Sequence, residues 1–116
     1  MPEKTIRYDR WRPLIEASRN EDALIAVMRE YCDTLLPSDI AKLPAWCPRC
    51  SVRSITDIGE LAVEYTAIEL KYDRDDDART TLHDLALTFC AASEQLKRLR
   101  HPMLNIDTGS GRAPSP

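Results

Sequence analysis

Apolar residues recur at intervals of three and four along most of this chain, which is the repeat of one face of a helix. The first long stretch of this kind begins after Ser18-Arg19-Asn20-Glu21, which matches a capping box, and ends at Leu36 before Pro37. Its apolar face collects Leu24, Val27, Met28, Tyr31 and Leu35. The pattern therefore predicts a helix over residues 18–36.

A second long pattern begins at Ser54, a favoured N-cap residue, and continues to about Tyr72. Its apolar stripe consists of Ile58, Leu61, Ala62, Tyr65, Ile68 and Tyr72, and it is widened by Ile55, Val63 and Leu70. A sector this broad indicates a helix that neighbours contact on two sides. We therefore expect this helix at the centre of a bundle.

A third long helix is predicted from about Asp76 to Arg100, and a short one from Tyr8 to Ser18 with Pro13 in its first turn. Acidic residues at the start of the long helix and basic residues at its end complement the helix dipole. Its inward positions are Leu82, Leu85, Ala86, Phe89, Ser93 and Leu96. Residues 38–43 add at most a turn or two.

These elements predict an all-α fold, a small bundle of three long helices plus one or two short ones. We expect a flexible N-terminus over residues 1–7, a single helical domain over residues 8–100 and a disordered tail over residues 101–116. The 116 residues include only three glycines, which disfavours a hairpin-rich sandwich or barrel. A domain of this size does not require a disulfide or a metal for stability.

Charge and hydropathy narrow the classes of partner. The formal net charge of −3 disfavours nucleic-acid binding, because affinity for nucleic acid comes from a cationic protein surface. Neither a secretory signal nor a membrane-spanning stretch is apparent, so we expect no membrane association and a cytoplasmic location. In that compartment the four cysteines would be reduced and would not form a structural disulfide framework.

The most distinctive motif is Trp46-Cys47-Pro48-Arg49-Cys50, in a loop with two prolines just before the predicted helix at Ser54. A thiol near a helix N-terminus and beside Arg49 or Arg53 is expected to have a lowered pKa, which favours redox chemistry. The motif resembles the Trp-Cys-x-x-Cys of thioredoxin-like oxidoreductases over these five residues. That resemblance implies a redox-active Cys47/Cys50 pair, although that family places its motif after a strand.

Metal binding is an alternative hypothesis for Cys47 and Cys50. Two thiolates at this spacing can bind one zinc ion, but a structural site needs four ligands. The remaining candidates are Cys32, Cys90 and His83, of which His83 and Cys90 lie too far apart along one helix to serve together. A zinc site would therefore use Cys47, Cys50 and Cys32 with Cys90 or His83. Alternatively, Cys32 and Cys90 only pack at the edges of the core, and the loop pair is a reduced surface turn.

The acidic run before the third long helix and Glu69 are further candidate sites. The acidic run has the spacing of a calcium loop at Asp73, Asp75, Asp77, Thr81 and Asp84, but Ala78 stands where that loop needs glycine, and a charged helix start is the simpler interpretation. Glu69 lies on the apolar sector of the second long helix and therefore needs a partner or access to water. The sequence contains no set of residues typical of a serine hydrolase or a zinc protease.

The sequence favours a small helical protein that acts by protein–protein interaction, as an adaptor, a regulator or a homo-oligomer, without an assembled catalytic site. The broad apolar sector of the second long helix is the reason, because three neighbours would not cover it fully. The alternative is a thiol redox or zinc-binding regulatory protein that uses Cys47 and Cys50. We expect a non-enzyme in the first case.

Overall fold

The computed structural model describes residues 8–101, which form five helices and no strand. The helices are α1 (Tyr8–Glu16), α2 (Glu21–Asp33), α3 (Pro37–Ala41), α4 (Ile55–Lys71) and α5 (Asp77–Arg100). This arrangement confirms the predicted all-α fold. The predicted flexible N-terminus and disordered tail lie outside the described residues, apart from His101. Among the described helices, none combines the length and apolar character needed to cross a membrane.

The start of α2 differs from the predicted capping box. Asn20 is the N-cap, and its side-chain oxygen accepts a hydrogen bond from the Ala23 amide at 2.8 Å. Ser18 is instead buried in the turn after α1, where its hydroxyl donates to the Leu14 carbonyl. The Ser18 carbonyl in turn accepts a hydrogen bond at 2.8 Å from the side-chain amide of Gln95 on α5. Packing against α5 therefore displaces the cap by two residues.

The central helix of the bundle is α5, so the prediction that the helix beginning at Ser54 occupies the centre is wrong. Helix α5 packs against each of the other four helices, whereas α4 packs against only α5 and α2. The polar residues Thr81, Asp84, Thr88 and Gln95 on α5 are all buried. The buried face of α5 is therefore wider than the sequence predicted, because hydropathy alone assigns these four polar residues to solvent.

Aromatic side chains join the helices at the centre of the core. The Phe89 ring of α5 lies 6.1 Å from the Tyr31 ring of α2 and 5.5 Å from the Tyr65 ring of α4, measured between centroids. Trp11 of α1 packs edge-on against Tyr31 at 5.8 Å. These contacts link four helices through one continuous aromatic cluster, which positions Tyr65 beneath the cysteine-containing loop.

Candidate functional site

A disulfide bond joins Cys32 to Cys50. Cys32 lies in the last turn of α2, and Cys50 lies in the segment of residues 42–54 between α3 and α4, which we call the cysteine loop. Their Cα atoms are 5.7 Å apart although 18 positions separate them in the sequence. The expectation that all four cysteines are reduced is wrong for this pair, and the structure joins Cys50 to Cys32 instead of Cys47. The bond attaches the cysteine loop covalently to α2.

The disulfide lies at the wall of a cleft of about 540 Å³, which we call the cysteine cleft. Both bonded cysteines and Cys47 line this cleft together with mainly apolar side chains. The apolar lining is contributed by Leu35, Ile40, Leu43, Pro44, Ala45, Pro48 and Leu85. Arg49 adds the one cation among the lining residues. An apolar cleft with a single cationic group is suited to a ligand that has an apolar group and a carboxylate next to it.

Tyr65 anchors the cysteine loop on α4. Its ring is fully buried, and its hydroxyl donates a hydrogen bond at 2.9 Å to the carbonyl of Pro48, between Cys47 and Cys50. Burial raises the pKa of the Tyr65 phenol well above its usual range, with smaller contributions from Cys47 and Glu64, so the hydroxyl remains a donor at neutral pH. The disulfide therefore attaches the loop to α2, and this hydrogen bond attaches its middle to α4.

Cys47 carries a free thiol that is half-buried in the cleft. Burial raises the pKa of this thiol, and the carboxylate of Glu64 raises it further. The predicted lowering of the thiol pKa by a helix N-terminus and neighbouring arginines is therefore wrong for Cys47, because desolvation disfavours the thiolate. At neutral pH, Cys47 is consequently a neutral thiol and not an activated nucleophile.

The segment that borders the cysteine cleft exposes large apolar side chains. Trp46, between two lining residues, is 67% exposed. Leu36 and Ile40 are each about half exposed, and Ile40 lines the cleft itself. Aromatic and aliphatic side chains exposed around a concave surface are typical of a binding site for another molecule.

The other predicted metal ligands lie elsewhere. Cys90 is exposed on α5, with its sulfur 3.2 Å from the Thr66 hydroxyl of α4, and it does not line the cleft. The His83 Nδ1 atom pairs with Glu69, so this carboxylate has the partner that its position required. No group of three or more potential metal ligands is assembled within residues 8–101. A zinc site using Cys47, Cys50 and Cys32 with Cys90 or His83 stays a prediction for the reduced protein, since thiolates are the cysteine form that binds zinc.

The acidic run does not form a calcium loop. Asp76 is the N-cap of α5 and accepts a hydrogen bond from the Arg79 amide, and residues from Asp77 onward are helical. The Asp84 carboxylate, only 5% exposed, is directed into the bundle, where it accepts hydrogen bonds from the Tyr31 hydroxyl at 2.6 Å and the Tyr8 amide at 2.7 Å. Sequence reasoning missed this buried carboxylate, because its neighbours Thr81 and Thr88 on the same helix face are polar and give no apolar pattern.

Comparison of this chain with protein-family models, curated proteins and solved structures finds no match.

Proposed function

We propose that this protein binds another protein through the cysteine cleft and its exposed apolar border, and that the Cys32–Cys50 disulfide controls the shape of that surface. The observation that carries the proposal is the position of the disulfide: it forms part of the wall of an apolar cleft. Breaking the bond would release the middle of the cysteine loop from α2, while the hydrogen bond from Tyr65 of α4 to the Pro48 carbonyl would remain.

The chemistry of the cleft indicates the kind of partner that would fit. Its apolar lining would accept an aliphatic or aromatic side chain, and Trp46 at the border would cover that side chain from one side. Exposed tryptophans are enriched among the residues that dominate binding energy at protein interfaces. Arg49 would pair with a carboxylate beside the apolar anchor. We therefore infer a peptide segment with one or two large apolar residues and a neighbouring acidic residue.

A thiol-controlled surface also agrees with the expected cytoplasmic location, which stays a prediction. Thiols in that compartment are kept reduced, so a disulfide there forms transiently and serves regulation more often than stability. Control by the cytoplasmic glutathione pool requires a reduction potential of roughly −220 to −320 mV. Equilibration in glutathione buffers would measure it, and a bond that resists reduction throughout this range would contradict the switch.

Peptide selection tests the binding surface. We expect the oxidised protein to enrich peptides with a large apolar residue next to an acidic one from a displayed library of random sequences. Trp46→Ser should weaken their binding by about tenfold or more, because it removes the main apolar anchor of the border. Reduction by a phosphine should weaken binding comparably, since the loop is then released. Leu14→Ser is the matched control on the exposed face of α1 and should leave binding unchanged. Equal binding to the Trp46→Ser variant would contradict the assignment of the surface.

Self-association through α4 is a second candidate function, supported by a separate observation. Val63 is 70% exposed and Leu70 is 82% exposed. At seven positions apart, they lie on one side of α4 about two turns from each other. Ala67 is exposed between them. The broad apolar sector of this helix therefore remains partly uncovered, as an interface with a second copy would require.

Sedimentation velocity distinguishes this candidate. We expect a monomer–dimer equilibrium at micromolar concentration that Leu70→Glu shifts fully to monomer, because the carboxylate would be buried in the interface. Leu14→Glu places the same change on an exposed apolar position of α1 and should not alter the equilibrium. A strict monomer at every concentration would exclude the homo-oligomer.

A further inference from the structure

The cysteine cleft contains a third sulfur atom, the free thiol of Cys47, beside the Cys32–Cys50 disulfide. Cys47 lines the same cleft as both bonded cysteines, and only two residues separate it from Cys50. The intervening backbone belongs to neither a helix nor a strand. Within it, the Cys47 amide donates to the Pro44 carbonyl at 2.9 Å, and the Pro48 carbonyl accepts from Tyr65. A local rearrangement of this loop would therefore bring the sulfur of Cys47 to that of Cys50.

We propose that Cys47 is the exchange partner of the Cys32–Cys50 disulfide, an inference that rests on the proposed thiol-dependent function. The Cys47 thiolate attacks the Sγ atom of Cys50, so that a Cys47–Cys50 bond forms and the Cys32–Cys50 bond breaks. Cys32 leaves as a thiolate and takes up a proton, while Cys47 has released its proton to water. The number of disulfides is unchanged, and the step consumes no oxidant or reductant.

Chain connectivity selects Cys50 as the sulfur that is attacked. A bond between Cys47 and Cys50 closes a loop of only two intervening residues, which restricts little additional chain. Attack on Cys32 would instead form a Cys32–Cys47 bond, which closes the longer loop of residues 33–46 and costs more chain entropy. The product with Cys47–Cys50 is therefore the favoured one, and it frees the cysteine loop from α2.

The surroundings of Cys47 keep this exchange slow at neutral pH. Burial and the carboxylate of Glu64 raise the pKa of the thiol. Tyr65 is the other ionisable group of α4 at this position and stays protonated, while Arg49 in the loop lines the same cleft. The lining residues of α2 and α5 other than Cys32 are Leu35 and Leu85, which carry no charge. Exchange should therefore accelerate as the pH rises toward the thiol pKa.

The consequence is that the binding surface has two covalent forms at the same level of oxidation. In the first, the cysteine loop is bonded to α2 and forms a wall of the cleft. In the second, the bond lies within the loop, and Cys32 is a free thiol at the end of α2. A partner that binds one form more tightly would shift the population toward that form.

Non-reducing peptide mapping tests the exchange on the full-length protein. The protein is oxidised with glutathione disulfide at mildly acidic pH, freed of the oxidant, incubated between pH 7 and 8.5 without reductant, quenched with acid and alkylated. We expect a Cys32–Cys50 bond at the start and a Cys47–Cys50 bond with alkylated Cys32 after incubation. The rate should rise about tenfold for each pH unit below the thiol pKa and should not depend on protein concentration.

Substitutions at Glu64 and Cys47 test the exchange further. Glu64→Gln should accelerate exchange, because it removes the carboxylate that disfavours the thiolate, whereas Glu60→Gln one turn earlier should not. Cys47→Ser should retain the Cys32–Cys50 bond at every pH.

Three outcomes in the unmodified protein separate the exchange from the proposed function. If the Cys32–Cys50 bond is found but Cys47 remains open to alkylation throughout, the exchange is wrong and the proposed function stands. A Cys32–Cys47 product or a concentration-dependent rate would also overturn the exchange. If oxidation yields no Cys32–Cys50 bond, thiol control of the surface fails together with it.

Discussion

Phe89→Ala is expected to lower the free energy of unfolding by about 4 kcal/mol, the largest effect of a single substitution that we predict for this chain. The ring is fully buried and contacts the rings of Tyr31 and Tyr65, so its removal leaves a cavity between α2, α4 and α5. A domain of this size has a stability of roughly 5–15 kcal/mol, so the variant would lose a large share of it. Chemical denaturation followed by helical circular dichroism measures the change.

The control for Phe89→Ala is Val63→Ala, which truncates an apolar side chain that is 70% exposed. Surface substitutions of this kind usually change stability by less than about 0.5 kcal/mol. Phe89→Leu retains most of the apolar volume and should fall between the two variants. A loss below about 1 kcal/mol for Phe89→Ala would show that the aromatic cluster does not determine stability. A parallel loss of the Tyr65 contact to the cysteine loop would appear as faster alkylation of Cys47.

Asp84→Ala is expected to destabilise the fold by about 3 kcal/mol. The substitution removes the acceptor of hydrogen bonds from the Tyr31 hydroxyl and the Tyr8 amide, and each such bond to a charged group contributes roughly 1.5–3 kcal/mol. It also leaves the buried Tyr31 hydroxyl without this acceptor. The same denaturation experiment measures the loss, and thermal unfolding should show a lower midpoint.

Asp75→Ala provides the matched control for Asp84→Ala, because it removes the same charge from an exposed position before α5. It should leave stability nearly unchanged. Tyr31→Phe removes one donor to Asp84 and retains the ring, so it should cost less than Asp84→Ala. A double variant should be less destabilised than the sum of the two, since both substitutions remove one shared hydrogen bond. Strict additivity would contradict the assigned contact.

The two stability predictions concern different kinds of sequence signal. Phe89 occurs on a regular apolar stripe, and its burial follows from the helical period of its neighbours. Asp84 has no such signal, because a carboxylate is assigned to solvent unless a partner for it is known. Its partners are 53 and 76 positions away along the chain. Only the packing of α5 against α1 and α2 brings them together.

The cysteine site shows the same division. The spacing of Cys47 and Cys50 identified the loop as the chemically distinctive segment, and Pro44 and Pro48 excluded regular structure there. The pairing of Cys32 with Cys50 could not be predicted from the sequence, because a disulfide depends on the distance between two Cα atoms and not on their separation in sequence. The direction of the shift in the Cys47 pKa could not be predicted either, since it is determined by burial and by the carboxylate of Glu64.

The sequence by itself determined the all-α class and four helices close to their observed limits, because apolar periodicity and capping residues act within one or two helical turns. It also identified the cysteine loop. Only the tertiary structure decided that α5 is central, that Cys32 bonds Cys50 and that Asp84 is buried. Each of these three features depends on contacts between segments that are distant along the chain, and local spacing carries no information about such contacts.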